Sequence, residues 1–98
     1  MEHTNYKHIV LFKIHDEVSA EVLQKALDLL LALGQDNSDI LQWSVTMSLD
    51  TRKGRIIVED AVFANQESFE NFRASPKHSE ASALMREIAD WLVGDYLL

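Results

Sequence analysis

The alternation of apolar and polar residues predicts a strand from Tyr6 to His15. Tyr6, His8, Val10, Phe12 and Ile14 fall on one face, Ile9 and Leu11 on the other, with Lys13 and His15 at the far end. Both faces are apolar in the middle, the mark of a strand covered on two sides. From Leu41 the alternation is sharper: Leu41, Trp43, Val45, Met47 and Leu49 interleave with Gln42, Ser44, Thr46 and Ser48. That predicts a strand with one apolar face and one small polar face. Arg55 to Ala64 predicts a third strand, joined to the second as a hairpin across the turn and charge signals of Asp50 to Gly54.

Helical spacing governs the segments between. After the loop at Asp16 to Val18, Ser19 is placed to cap a helix, Glu21 suits the positive end of its dipole, and Gly34 ends it after Leu33. Val22, Leu23, Ala26, Leu27, Leu30 and Leu33 form its apolar face. Asn65 is placed to cap a short helix over Gln66 to Ala74, with Phe69 and Phe72 inward. Pro76 is the chain's only proline, and with Ser75 before it as a cap it fits the first position of a further helix. Ala81, Leu84, Met85, Ile88 and Leu92 continue that helix at helical spacing, and Gly94 marks its end or a bend. Asp95 to Leu98 belong to a last strand, expected to start near Leu92.

The order is strand, helix, strand, strand, helices, strand. This predicts an α+β, ferredoxin-like βαββαβ fold in one domain over residues 1–98. Its four-stranded antiparallel sheet has the first and third strands at the centre and helices on one face. The other face keeps an apolar row that a soluble monomer rarely exposes, so a homodimer packed sheet against sheet is expected.

Composition narrows the partners. A chain of 98 residues with 47% hydrophobic content can bury a core, which argues against disorder. Sixteen acids against nine bases give a net charge of -7, which repels phosphate backbones, so no nucleic acid partner is expected. There is no basic amphipathic helix for an anionic membrane, and the longest apolar run, Leu29 to Leu33, is far too short to span one. Met1 to Asn5 carry no basic and apolar regions of a signal peptide. With no cysteine there is no disulfide, thiolate metal site or cysteine nucleophile, a usage compatible with the cytosol.

The candidate chemistry lies in histidines and carboxylates. His78 falls in the first turn of the helix opened by Pro76, where the dipole disfavours the imidazolium. A neutral ring there suits a general base, and equally a packing role that fixes the helix entry. His8 shares the Val10 and Phe12 face, where a lone histidine is usually a satisfied core residue. Glu59 and Asp60 are consecutive within a central strand, so they point to opposite faces. Each then needs a partner or a proton, and Lys13 and Arg55 are the candidates for Glu59. His3 and His15 sit near strand ends and are expected to be solvated. His8, His78 and Glu59 are chemically able to hold a metal, but no HxH or HExxH spacing exists and no metal site is expected. Trp43 and Trp91 fit core or interface better than ligand platforms.

His8-Ile9-Val10-Leu11-Phe12-Lys13, then Pro76-Lys77-His78, then Asp95-Tyr96 resemble the stress-responsive A/B barrel (Dabb) family over essentially the whole chain. The resemblance implies a ferredoxin-like homodimer with a barrel-like core and a pocket between sheet and helices. On that pattern Glu59, with Ile57, Ala61 and Phe63, faces the pocket side, and His8, Val10, Phe12, Ile57 and Phe72 line it. Most members have no assigned activity; one plant member is a cofactor-free polyketide cyclase. That cyclase uses the Pro-x-His histidine, here His78, with a tyrosine six residues earlier, here Phe72. It also has a third-strand histidine where this chain has Ile57. One hydroxyl and one imidazole are therefore absent, and the cyclase's own reaction does not carry over. Two readings remain: a dimeric accessory protein binding a small apolar ligand, or a cofactor-free enzyme, cyclase-like or monooxygenase-like, using His78 with Glu59 and His8. A cavity lined by those three residues favours the enzyme, and a filled core favours the accessory role.

Overall fold

The computed structural model describes residues 4–98. The elements are β1 (Tyr6–Ile14), α1 (Ala20–Leu33), β2 (Ile40–Met47), β3 (Ile56–Phe63), α2 (Gln66–Arg73), α3 (Pro76–Ile88) and β4 (Ala89–Leu97). The four strands form one antiparallel sheet in the order β2-β3-β1-β4, so β1 and β3 are its central pair. This is the βαββαβ arrangement that the alternation predicts.

Each helix starts where its cap allows. The Ser19 hydroxyl accepts from the Val22 N–H at 3.2 Å, and the Asn65 side chain from the Ser68 N–H at 2.8 Å. Ser75 accepts from the His78 N–H at 3.2 Å and donates to the Phe72 carbonyl at 2.7 Å, which ties the end of α2 to the start of α3. Gly34 does end α1, by close approach rather than by a left-handed turn. Its φ is -85°, and a Cβ there would stand 2.1 Å from the Trp43 ring. That ring is in turn held by its N–H donating to the Leu30 carbonyl at 3.0 Å.

The core lies between the sheet and the helices. Val10, Phe12 and Ile14 of β1 meet Ile57, Ala61 and Phe63 of β3 on this side, under Leu30, Met85 and their neighbours. Against the opposite face stands no element of the described residues. There Leu11 is 42% exposed, Leu92 76% and Tyr96 52%.

Two expectations shift. α3 stops at Ile88, and β4 begins at Ala89 without a loop, so Leu92 is a strand residue and Gly94 lies mid-strand. The apolar residue at 92 continues the helical spacing by coincidence. Pairing decides instead: Ala89 to Leu97 pair in unbroken register with Ile14 to Tyr6. In β2 the register slips between Ile40 and Gln42, so Ile40, not Leu41, packs on the core. Leu41 is more than half exposed, and Leu49 lies beyond the strand in solvent.

Candidate functional site

The central strands and β4 carry the site. Register puts His8 opposite Asp95 on one side and opposite Ala61 on the other, with Glu59 two residues away along β3 on the same face. His8 and Glu59 are each only 4% exposed. His8 Nδ1 lies 2.8 Å from Asp95 Oδ1, and Nε2 lies 3.2 Å from Glu59 Oε2. The Tyr6 hydroxyl donates to the other Asp95 oxygen at 2.7 Å. The result is a continuous chain, Tyr6–Asp95–His8–Glu59, across three strands.

A ring with a carboxylate at each nitrogen can donate to both only as the imidazolium. Burial alone pushes His8 down, but the hydrogen bonds to Glu59 and Asp95, with the charges of both, outweigh it and its pKa is raised. Tyr6 is pushed up to about 12 by burial and by its bond to Asp95, so it stays a hydrogen-bond donor.

His78 is the opposite case. Its ring stands edge-on to Phe72, with centroids 5.2 Å apart, and its Nδ1 is 3.4 Å from the Ser82 hydroxyl. Burial lowers its pKa; the Glu59 charge opposes this, while His8 and Arg73 add to it. The surroundings therefore favour the neutral ring at His78 and the imidazolium at His8.

Both rings border one cavity of about 410 Å³ between the sheet and the helices, with Glu59, Val10 and Phe12 also on its walls. Of the pocket residues expected from sequence, Ile57 and Phe72 are not on the wall. Ile57 is fully buried beside Phe12, and Phe72 is wedged behind His78 against Phe63 and Trp43. Glu59 does not pair with Lys13 or Arg55. Arg55 donates instead to the His15 carbonyl at 2.9 Å, and the partner of Glu59 is His8. Asp60 faces the uncovered side, paired with Lys7. His15 lies outside the site beside Glu17 and Asp90, and His3 falls outside the described residues. Among the described residues no group of three or more His, Cys, Asp and Glu is arranged to hold a metal ion, so the His8, His78 and Glu59 set does not form one.

Wall residues not expected at the site from sequence include Tyr6, Asp95, Arg73 and Trp91. Asp95 and Trp91 share the covered face of β4, and Trp91 joins the strand because β4 starts at Ala89. Trp91 stands on the wall against Phe12, not within the core.

A model of the stress responsive A/B barrel domain, Dabb, matches residues 6–98. The chain belongs to this family. It is 26% identical over 95 residues to an uncharacterized protein of Streptomyces coelicolor, covering 92% of this chain and 96% of that one. A dimeric protein of unknown function and ferredoxin-like fold from Bacteroides fragilis superposes with a TM-score of 0.80 at 25% identity, over 96% of both chains. A dimeric ferredoxin-like protein of unknown function from Thermobifida fusca gives 0.87 at 17% identity, over 100% of this chain and 94% of that one. No helix of the described residues is long and apolar enough to cross a membrane.

Proposed function

We propose that this Dabb protein is a cofactor-free acid–base enzyme acting on a small, largely apolar molecule held between sheet and helices. The observation that carries this reading is one cavity bordered by two histidines whose surroundings drive them to opposite charge states. Titratable pairs pushed apart in this way are how a single site keeps an acid and a base at neutral pH.

The roles follow from which atoms are unoccupied. His78 has a neutral ring with Nε2 available, and it is the group that takes a proton from the bound molecule. Glu59 has one oxygen turned to His8 and a second to offer, as the partner that accepts or relays. His8 has a carboxylate at each nitrogen, so it does not exchange a proton with the ligand. It positions Glu59 and lends positive charge to a negative centre developing nearby. The hydroxyl missing at Phe72 has no replacement at that spot, because the Tyr6 hydroxyl is committed to Asp95. The reaction class is therefore proton abstraction from a carbon acid rather than the cyclase's own reaction.

The test is deuterium uptake in D2O from a panel of small apolar aldehydes and ketones, followed by NMR. The expected result is exchange with at least one compound that binds, and a loss of about 100-fold or more in His78→Ala. Binding without exchange for every compound overturns the enzyme and leaves the second reading, a carrier of apolar ligands, which the apolar part of the wall favours.

We also infer that two copies pack through the uncovered sheet face. Support comes from Ile9, Leu11, Leu92 and Tyr96 bordering one open groove there, and from the dimeric neighbours. Light scattering tests this, with twice the mass of one chain as the expected value.

A further inference from the structure

Nothing within the subunit requires Gly94 to be a glycine. It stands in the middle of β4, and the pairing with Ile9 of β1 runs through it in unbroken register, so no bulge calls for it. Its φ lies outside the left-handed region that favours glycine. A Cβ built on it would meet no atom of the described residues within 4 Å, its chain neighbours aside. Gly34 is the opposite case, since a Cβ there would run into the Trp43 ring. A glycine inside a strand weakens it, and a residue with a side chain would fit this subunit and strengthen the strand. Close approach by another molecule is the reason that fits such a position.

The gap lies on the uncovered face. Leu92 and Tyr96 flank it along β4, and Ile9 stands across it on β1. Leu92 is 76% exposed, the most exposed apolar side chain on this face of the strands. The charges that the strands carry on this face are Lys7, Lys13, Asp60 and Asp90, two of each sign. They sum to zero, against -7 for the whole chain. Two copies repel one another as wholes, but this face adds nothing to the repulsion, so it suits an identical partner. Under two-fold symmetry a contact between positions 92 and 94 forms twice, once in each direction.

We propose that Gly94 is a socket for a second copy of this chain: Leu92 of each copy seats over Gly94 of the other, where a larger residue would hold the two sheets apart. This rests on the uncovered face being the interface between copies, and names the contact that fixes how they meet.

Sedimentation equilibrium of Gly94→Leu tests it. The dimer is expected to weaken by about tenfold or more, because overfilling a packed contact costs roughly that and the symmetry repeats it. Combining Gly94→Leu with Leu92→Gly exchanges the projection and the gap, and is expected to recover most of the lost affinity. In the Leu11→Glu background, where a single chain is expected, Gly94→Leu should leave the urea midpoint unchanged or raise it. An unweakened dimer in Gly94→Leu, no recovery in the exchanged pair, or a lower urea midpoint in the single chain overturns the proposal and leaves the interface in place. A wild type with the mass of one chain, or a Leu11→Glu variant that stays dimeric, removes the interface itself and this contact with it.

Discussion

The two faces of the sheet are built from the same strands with the same alternation, yet they hold their charges in opposite ways. Glu59 and Asp60 are neighbours in sequence. Glu59 turns under the helices, is almost fully buried and meets a histidine that is itself clasped by a second carboxylate. Asp60 turns to the uncovered face, stays partly exposed and meets Lys7. The more exposed carboxylate meets a single cation, whereas the buried ring is set between two carboxylates. Residue type does not separate these two carboxylates; what each face is packed against does.

The largest contrast between the faces is in stability. Phe63→Ala, which empties a fully buried position of the covered face, is expected to cost about 3–5 kcal/mol in urea unfolding. Leu92→Ala on the other face should cost the isolated subunit less than about 0.5 kcal/mol. Equal losses would mean that the uncovered face is packed within a single chain. Next in size is assembly. Leu11→Glu puts a charge in the middle of the apolar row, and light scattering is expected to show one chain where the wild type shows two. An unchanged mass would move the interface elsewhere.

Smaller, and specific to the covered face, is a dependence on pH. The folded state raises the His8 pKa, so the stabilisation from its ion pairs is fully present below about 6.5, its unfolded value, and is lost as pH rises through the folded value. The stability gap between wild type and His8→Gln should therefore narrow as pH rises above 6.5. Asp95→Asn should flatten that dependence, and Asp60→Asn should leave it unchanged. A gap that widens with pH would show His8 to be neutral in the fold. The smallest effect is expected from Phe72→Tyr, because position 72 stands behind the cavity wall. Thermal shift should find its ligand binding within a few-fold of wild type.

The contrast also marks how far the sequence could be read. The element order was legible because each strand has a period of two and each helix a cap: Ser19, Asn65 and Ser75 all accept the N–H their position predicts. That Glu59 and Asp60 part company followed from the same period. Their partners did not, since His8 and Lys7 reach them through strand register, which no local pattern encodes. Asp95 was legible as a strand residue, but its bond to His8 comes through the β1–β4 register, which no local pattern encodes either. Ile88 and Leu92 satisfy a helix, so Trp91 was not legible as a strand residue on the covered face. Leu41 was misread through the slip at Ile40 and Gln42, which moves one residue out of the ladder. The bordering residues of the cavity were partly legible, with His8, Val10, Phe12, Glu59 and His78 expected there and Ile57 and Phe72 too deep.

The account turns on two histidines in one cavity that differ in charge at the same pH. An NMR titration of the ring protons, assigned with His8→Gln and His78→Ala, measures this directly. The prediction is that His8 titrates above 6.5 and His78 below it. Titration of both rings together, or of His78 above His8, would contradict it.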